Sequence, residues 1–306
     1  MKGKMKKLLA LVFSAVMLFS LAACGASIEG EGEVGASGGG NGSIGLSVST
    51  LSNPFFVTLE EGAKEKAKEL GVKLITVDAG DDAAKQTSDI EDLLSKNISV
   101  LIVNPVDSDA VAPAVKTAIS KGVKVIALDR VVNGVEVDCS IASDNIAGAA
   151  MATEYLVELL GEGAEVAELE GVTGASATID RGAGFHQVAD EKLKVVAKQT
   201  ASFDRAEGMT VMENILQAKP NVKGVFAHND EMALGALEAI GNKDIVVVGF
   251  DATEDALVKV EEGKMAATVA QKPDLMGATA VETAQKLING ETVEKTLPVE
   301  VKLITK

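Results

Sequence analysis

The chain of 306 residues is long enough for two ordinary domains, and its 47% hydrophobic content is sufficient for a large apolar core. A formal net charge of −16 argues against the basic surface that nucleic-acid binding requires, so we expect no nucleic-acid partner. Only two cysteines are present, which excludes a disulfide-rich scaffold.

The N-terminus has the composition of a secretory signal peptide. Lysines in residues 1–7 precede an apolar run, Leu8 to Ala23, that is short for a membrane-spanning helix of ~20 residues. The run leads into Leu21-Ala22-Ala23-Cys24, which resembles the bacterial lipobox, where the cysteine is lipidated and becomes the mature N-terminus. We predict a signal peptide over 1–23, export across the cytoplasmic membrane, and a lipid anchor at Cys24 on its outer face. Residues 1–23 hold four of the 29 basic residues and no acid, so their removal leaves a net charge of −20.

Residues 24–42 are rich in glycine and acidic, and we predict a flexible tether between the lipid and the folded part. Within them, Gly30 to Gly35 matches the dinucleotide-binding fingerprint by letter, but no strand precedes it and its glutamates would repel a pyrophosphate. With Cys24 lipidated, Cys139 has no disulfide partner. Cys139 lies in the predicted strand Val137–Ile141 with no histidine nearby in sequence, so we expect a buried, inert thiol.

From Ser43 onward, short apolar runs alternate with amphipathic runs. Near-continuous apolar segments such as Val100–Val103 are typical of strands that are covered on both faces, and the alternation predicts parallel sheets with helices on both sides. The predicted strands are 44–49, 72–77, 99–103, 123–128, 164–169, 194–199, 223–227, 245–250 and 265–270. The predicted helices are 54–70, 83–96, 108–121, 144–160, 176–190, 205–218, 230–240, 253–262 and 273–289.

A weak internal repeat predicts two similar lobes. Asn104 and Asp129 end two strands of the first half, 25 residues apart, and Asn229 and Asp251 end two strands of the second half, 22 residues apart. Ligands of open α/β sheets bind at the carboxyl ends of strands. Two facing crevices with similar linings would therefore form one cleft.

The three arginines of the chain each follow an aspartate. A guanidinium offers a fixed fork of donors and a carboxylate offers acceptors, a combination that suits the hydroxyls of a polyol. Arg130 follows a strand directly, which favours a role in ligand binding. Arg205 opens a helix, which favours a surface ion pair or a helix cap, and for Arg181 the sequence favours neither alternative.

Four phenylalanines lie at strand ends or loop-to-helix junctions, where an aromatic face could stack on a sugar ring: Phe55, Phe56, Phe203 and Phe250. Pro54 suits the first turn of a helix that Asn53 or Ser52 would cap. Neighbours on a helix point about 100° apart, so we expect that Phe55 and Phe56 do not share one core and that at least one of them points above the strand end. Phe185 and Phe226 lie within a helix and a strand and are expected in the core.

Catalytic signatures are missing from the sequence. It contains no HExxH, no GxSxG and no Cys/His spacing typical of a metal site. Asp129 and Asp251 could form a glycosidase pair, but we expect Arg130 to keep one carboxylate ionised and therefore unable to donate a proton. His228 is expected to be a packing or solvent-facing residue at a strand end. We therefore predict that the protein is not an enzyme.

The chain resembles the sugar-binding lipoproteins of bacterial ABC importers, in the type I periplasmic binding protein family. The resemblance covers essentially all of residues 43–306. It rests on nine stretches in this order: Val48–Phe56, Asn104–Ala110, Leu128–Arg130, Ile141–Asn145, Arg181–Phe185, Phe203–Arg205, Asn229–Ala236, Val248–Asp251 and Ala270–Gln271.

This resemblance implies an α/β fold of two doubly wound parallel-sheet lobes, each with three α/β/α layers, joined by a three-strand hinge around an interlobe cleft. We assign 43–143 and 272–300 to the N-terminal lobe, and 144–271 and 301–306 to the C-terminal lobe. The chain would cross between the lobes near 143–144, 271–272 and 300–301.

The resemblance also implies the ligand-binding residues. Those of the first lobe are Ser49, Asn53, Asn104, Asp129 and Arg130, and those of the second lobe and hinge are Arg181, Asn229, Asp251 and Gln271. Phe55, Phe56 and Phe203 would sandwich the sugar ring, and Phe250 would line the wall. Two positions depart from the family pattern without being sugar contacts: Ile179, where many relatives carry arginine, and His228, where relatives often carry glutamine.

The function that the resemblance implies is capture of one monosaccharide, with D-ribose the first candidate, and delivery to an ABC permease through lobe closure. Another pentose, a hexose or a furanose-type autoinducer is the alternative within this class. No cofactor is implied and, without an Asp-rich calcium loop, no metal; a chemoreceptor is a further candidate partner. The effector core of a transcription repressor shares the fold, but it requires a DNA-binding domain where the predicted signal peptide and tether stand.

Overall fold

The computed structural model describes residues 42–306, which form two six-stranded sheets and nine helices. The predicted signal peptide, Cys24 and all but the last residue of the predicted tether lie outside the described residues. The strands of the first sheet are β1 (Ile44–Val48), β2 (Leu74–Asp78), β3 (Val100–Val103), β4 (Lys124–Leu128), β5 (Cys139–Ser143) and β11 (Thr296–Val299). Those of the second are β6 (Glu165–Glu170), β7 (Lys194–Thr200), β8 (Gly224–Ala227), β9 (Val246–Asp251), β10 (Ala267–Ala270) and β12 (Lys302–Thr305).

The helices cover both faces of each sheet, as the alternating pattern predicts. The helices of the first sheet are α1 (Pro54–Leu70), α2 (Ala83–Ser95), α3 (Ala112–Ser120) and α9 (Pro273–Ile288). Those of the second are α4 (Asn145–Leu160), α5 (Ser176–Lys192), α6 (Arg205–Ala218), α7 (Asp230–Ile240) and α8 (Glu254–Glu261). We call each sheet with its helices the first lobe and the second lobe. The predicted two-lobed α/β fold with parallel sheets is confirmed.

The two lobes repeat one topology. The strand order is β11-β5-β4-β3-β1-β2 in the first sheet and β12-β10-β9-β8-β6-β7 in the second. Every pairing is parallel except that of β10 with β12. The chain passes from one sheet to the other after β5, after β10 and after β11. The edge strands β11 and β12 were not among the predicted strands; β11 contains Pro298, which an edge position tolerates.

Four apolar clusters form the core, one on each face of each sheet. Phe185 and Phe226 stack in the second lobe, with ring centroids 5.3 Å apart, and both are fully buried as predicted. Cys139 is a free, buried cysteine, and burial raises the pKa of its thiol, in agreement with the inert role expected for it. No helix among residues 42–306 is long and apolar enough to cross a membrane.

Helix α3 is shorter than predicted, because residues 108–111 form turns and the helix begins only at Ala112. The Asp107 carboxylate accepts hydrogen bonds from the backbone N–H groups of Asp109 and Ala110, at 2.8 and 2.7 Å. Such side-chain bonds compete with helix formation. The amide of Ser108 is also engaged elsewhere, with the Gly174 carbonyl of the second lobe at 3.0 Å.

The topology creates one crevice in each lobe. In the first sheet β1 and β3 are neighbours, yet the helices that follow them, α1 and α3, lie on opposite faces, so the connecting loops diverge. The same divergence separates the loops after β6 and β8 in the second sheet. Ligand sites of open α/β sheets lie at such switch points.

The packing of α1 against α9 depends on glycines. A Cβ atom on Gly277 would overlap the Leu59 carbonyl of α1, which a helix backbone cannot move aside without separating the helices. We expect Gly277→Ala to lower the free energy of unfolding by ~1–3 kcal/mol.

The matched control is Gly182→Ala in α5, where the new Cβ would lie 3.4 Å from Glu168 and 3.6 Å from His228, in ordinary contact. That variant should lose no stability, since alanine favours helix by ~1 kcal/mol over glycine. Urea unfolding of both proteins measures the difference, and equal stabilities would contradict the packing described.

Candidate functional site

A small cavity lies between the two crevices, with walls from both lobes. It is lined by Asn53, Phe55, Phe56, Asp129, Arg130, Ala177, Arg181, Phe203, Asn229 and Asp251. Nine of these ten residues belong to the set of thirteen predicted from the sequence. The tenth, Ala177, has a small apolar side chain for which no sequence signal exists.

The start of α1 brings three of the lining residues to the cavity. The Asn53 side chain caps the helix by accepting a hydrogen bond from the Phe55 N–H at 2.9 Å, and Pro54 occupies the first helical position. Phe55 and Phe56 are 5% and 3% exposed and meet edge to face, with centroids 5.1 Å apart. Both belong to one apolar cluster, so the expectation that they do not share a core is wrong. They can do so because the two rings pack edge to face at the start of the helix.

Asp129 and Arg130 follow β4 in a strained turn. Asp129 has a backbone φ of 65°, a left-handed conformation that is uncommon outside glycine. Its Oδ2 accepts from the Asn104 amide at 3.1 Å and lies 3.7 Å from Arg130 Nε. Arg130 Nη1 donates to the Pro105 carbonyl at 2.8 Å. Asp129 Oδ1 and Arg130 Nε are both buried without a hydrogen-bond partner among residues 42–306.

Arg181 is held in the second lobe in a comparable way. Its Nη1 donates to the His228 carbonyl at 2.6 Å, and its Nε donates to Asn145 Oδ1 at 2.9 Å. Asp251 Oδ1 lies 3.8 Å from Nη1. In each lobe, Nη1 of the arginine is thus fixed by a backbone carbonyl next to the strand-end asparagine, at Pro105 and at His228.

Aromatic rings surround the two guanidinium groups. The guanidinium carbon of Arg130 lies 5.2 Å from the Phe56 centroid and 5.4 Å from the Phe203 centroid. Arg181 lies 5.8 Å from Phe203. Phe203 reaches between the arginines from a left-handed backbone with a φ of 61°, against Gly171, where any Cβ would overlap its ring.

Four predicted residues lie behind the cavity wall instead of lining it. Asn104 accepts from the Ser49 N–H at 3.0 Å and supports Asp129, and Gln271 donates to Asp251 Oδ1 at 2.7 Å. Phe250 is fully buried beneath Arg181, 3.9 Å from its guanidinium carbon. Ser49, Asn104, Gln271 and Phe250 thus adjoin the residues that line the cavity, and their contact with a ligand stays a prediction.

Burial dominates the electrostatics of the site. It raises the pKa of the Asp129 carboxyl, which Arg130 and Arg181 offset in part, and it raises the pKa of Asp251 well above the usual value, which Arg181 opposes. Burial also lowers the pKa of both guanidinium groups. From the sequence we expected Arg130 to keep one carboxylate ionised. Burial raises the pKa of both carboxyl groups by more than the arginines lower it. Removing one member of the pair Asp129–Arg130 or of the pair Asp251–Arg181 would leave a buried charge without compensation.

Sequence reasoning missed a buried polar group in the second lobe. Glu168 is fully buried and accepts hydrogen bonds from His228 Nε2 at 2.9 Å and His186 Nε2 at 3.0 Å. His228 is also fully buried, which confirms the packing role considered for it. The available signal was a glutamate inside the apolar strand β6, a position where a charge requires a partner.

Sequence reasoning also missed Gln86 in the first lobe, which is 1% exposed. Its amide donates to the Asn104 carbonyl at 2.8 Å and to Ser47 Oγ at 3.2 Å, and its oxygen accepts from the Val106 N–H at 2.8 Å. Gln86 therefore fixes the loop whose Asn104 and Pro105 support Asp129 and Arg130. Nothing in the pattern of α2 distinguishes this glutamine from an exposed one.

Arg205 forms the surface ion pair that its position predicts. Its Nε and Nη2 bond both oxygens of Glu231, at 2.9 and 2.8 Å, and Nη2 bonds Asp255 at 2.9 Å. Arg205 also borders a solvent-open groove of about 1570 Å³ on the second lobe, which contains none of the thirteen predicted residues. Within residues 42–306, no group of three or more His, Cys, Asp or Glu side chains is arranged to hold a metal ion.

Residues 44–292 match the family described as the periplasmic binding protein domain. The chain is 50% identical to the ribose import binding protein RbsB of Bacillus subtilis (strain 168), over 98% of this chain and 99% of that protein. It is 49% identical to RbsB of Escherichia coli (strain K12), over 86% of this chain and 90% of that protein. The crystal structure of Caulobacter myo-inositol binding protein bound to myo-inositol is similar, with a TM-score of 0.84 and 33% identity over 88% of this chain and 94% of that one. This chain belongs to the periplasmic binding protein domain family.

Proposed function

We propose that this protein is the solute-binding component of a bacterial ABC sugar importer, that it works outside the cytoplasmic membrane, and that it binds D-ribose. Similarity to two ribose import binding proteins, over 98% and 86% of this chain, supports this function, including the choice of sugar. Relatives named for D-apiose and D-allose are less similar, at 38% and 33% identity. The relatives are named as binding proteins, and we propose no catalytic role.

One observation supports the cavity as a sugar site above all others. Asp129 Oδ1 is a buried acceptor and Arg130 Nε is a buried donor, and neither has a hydrogen-bond partner among residues 42–306. Leaving such groups unpaired costs about 1–3 kcal/mol each, more where they are charged. A hydroxyl group both donates and accepts, so one sugar hydroxyl could satisfy the two atoms together. Aromatic rings on either side suit the apolar faces of a sugar ring.

We propose that binding works by closure of two lobes, 43–143 with 272–300 and 144–271 with 301–306. The three crossings of the chain between the sheets would form the hinge. A ligand that contacts both lobes stabilises the closed form, because it binds that form better than the open one. The cavity lining supports this mechanism, since Arg130 comes from one lobe and Arg181 from the other.

Hydrogen bonds between the lobes, made by residues that do not line the cavity, also favour the closed form. Helix α5 has no side-chain cap of its own, and its Ser176 N–H donates to Ser108 Oγ of the first lobe at 3.2 Å. Ser176 Oγ accepts from the Val131 N–H at 3.0 Å. The first lobe therefore caps a helix of the second, and opening of the cleft would break these bonds.

Loss of the cross-lobe bond should weaken sugar binding without altering the sugar site. We expect Ser176→Ala to raise the Kd for D-ribose about 3- to 10-fold, the effect of one hydrogen bond made only in the closed form. Calorimetric titration measures it. Ser120→Ala is the control, because Ser120 Oγ bonds only within its own helix, to the Thr117 carbonyl at 2.8 Å. Identical affinities for both variants would contradict a role of the contact in closure.

The proposed function is tested by calorimetric titration of the purified protein with D-ribose, D-allose, D-arabinose, D-galactose and myo-inositol. We expect tight one-to-one binding of D-ribose with no product formed. Tighter binding of another sugar would overturn the assignment to ribose and leave the class intact. Turnover of the sugar would overturn the binding-protein class itself.

We further propose that Cys24 is lipidated and anchors the protein to the outer face of the cytoplasmic membrane, and that an ABC permease recognises the closed form. The sequence Leu21-Ala22-Ala23-Cys24 supports the anchor. A chemoreceptor is a second candidate partner. Cys24→Ser should release the protein from the membrane fraction of cells, and continued membrane attachment of that variant would contradict the anchor.

A further inference from the structure

Asn145 is a buried polar residue to which the proposed function assigns no role. It is 4% exposed and is the first residue of α4, directly after the chain has left β5 of the first sheet. It does not cap its helix, because Asp144 does so by accepting from the Ala147 N–H at 3.0 Å. The Asn145 side-chain oxygen instead accepts a hydrogen bond from Arg181 Nε at 2.9 Å.

The Arg181 guanidinium is thereby held on three sides. Asn145 fixes Nε, the His228 carbonyl fixes Nη1 at 2.6 Å, and the ring of Phe250 lies 3.9 Å from the guanidinium carbon. Neither hydrogen bond uses Nη2. An arginine side chain has several rotatable bonds, and a fixed orientation removes the entropy that binding would otherwise cost.

We propose that Asn145 is a positioning residue that orients Arg181 for the sugar in the open, ligand-free protein. Asn145 lies on α4 and Arg181 on α5, and these helices pack together in the second lobe. Opening of the lobes therefore does not separate the two residues. The inference rests on the proposed function and adds that the second lobe presents a preorganised arginine to the incoming sugar.

The orientation also connects the site to the hinge. Asn145 is two residues beyond Ser143, the last residue of β5, at the first crossing between the sheets. Asn145 lies at this crossing and holds Arg181. It therefore fixes Arg181 relative to the segment about which the lobes would rotate. No comparable side chain holds Arg130 among the described residues, where the fixed partner is the Pro105 carbonyl.

The binding test compares two substitutions of Asn145. Asn145→Leu removes the acceptor and should raise the Kd for D-ribose about 10- to 100-fold, the effect of losing a hydrogen bond to a charged group. Asn145→Asp keeps an oxygen at the same place and should stay within about 3-fold of the wild type. In an Arg181→Lys background, which has no Nε–H fork, Asn145→Leu should change the Kd less than about 3-fold. Equal losses in both backgrounds would show that Asn145 acts on the fold and not through Arg181.

A second test needs no sugar. Because the chain contains three arginines, the Nε–Hε signals in an NMR spectrum are few enough to assign by substitution. In the ligand-free protein we expect a shifted, slowly exchanging signal for Arg181, which Asn145→Leu returns to the position of a free arginine while the Arg130 and Arg205 signals stay in place. An unchanged Arg181 signal in that variant would overturn the proposal. Absence of ribose binding by the wild type would instead overturn the proposed function and leave this test intact.

Discussion

Arg130→Ala should raise the Kd for D-ribose at least about 100-fold with the fold retained. Arg130 is 3% exposed, and its Nε lies 3.7 Å from Asp129 Oδ2 but has no hydrogen-bond partner among the described residues. The substitution removes a donor to the sugar and leaves the Asp129 carboxyl buried beside an apolar gap. Breaking a buried charge pair costs about 3–5 kcal/mol, more than 100-fold in affinity when it occurs in the bound state.

The matched control is Arg205→Ala, which removes the same side chain from the surface pair with Glu231 and Asp255. A surface ion pair contributes about 0–1 kcal/mol, so both affinity and stability should change little. Titration calorimetry gives the affinities, and circular dichroism shows whether each variant is folded. A folded Arg130→Ala protein that binds ribose as tightly as the Arg205→Ala protein would remove Arg130 from the site.

The stability of the protein should decrease as the pH rises from about 4 to about 7, and Asp230 should cause much of the decrease. Asp230 is fully buried at the start of α7, and burial raises its pKa from 3.8 to about 7. The threonine donors around it, Thr268 at 2.7 Å and the Thr253 N–H at 2.8 Å, oppose that rise. Glu231 adds a like charge, which raises the pKa further.

The direction of this pH dependence follows from the pKa of Asp230 in the unfolded chain, 3.8, and in the folded protein, about 7. Below pH 4 the carboxyl is protonated in both the folded and the unfolded state and does not lower the free energy of unfolding. Between 4 and 7 the unfolded chain loses the proton while the folded protein retains it, so the unfolded state gains stability with rising pH. Above pH 7 the carboxyl is ionised in both states, and the free energy of unfolding decreases no further through this group. A folded pKa of about 7 against 3.8 corresponds to at most about 4 kcal/mol.

Urea unfolding at a series of pH values tests this expectation. Asp230→Asn should flatten the decrease between pH 4 and 7, whereas Asp109→Asn, at an exposed position, should leave it as in the wild type. Asp129 and Asp251 also have raised pKa values and contribute in the same direction, so some decrease should remain. The same slope in Asp230→Asn and wild type would show that Asp230 is ionised in the folded protein.

The alternation of apolar and amphipathic runs determined the fold class without help from tertiary structure. A strand covered on both faces must be apolar throughout, as Val100–Val103 is, and a helix beside it must be apolar on one side, so both periods appear in the sequence. The strand ends were determined in the same way. Asp129 and Arg130 could be placed at the carboxyl edge of the first sheet, and Asn229 and Asp251 at that of the second, because parallel strands align their carboxyl ends.

The family resemblance assigned Arg181 to the site, a role that the residue pattern alone had left open. From the sequence, Arg181 suited a surface pair as well as a ligand contact, and the resemblance placed it at the ligand. In the structure Arg181 is 4% exposed and lines the cavity beside Asp251. Its local sequence lies within α5 and contains no strand end that would have indicated this position.

Only the tertiary structure decided which polar residues line the cavity and which support them. Asn104 and Gln271 follow strands as Asp129 does, yet they lie behind the wall, because the side chains in front of them come from other segments of the chain. Asn145, Gln86 and Ser108 acquire their partners 36, 18 and 68 residues away. A sequence pattern reports how a side chain points from its own helix or strand. Which atom it then meets depends on how separate segments pack, and only the folded chain determines that.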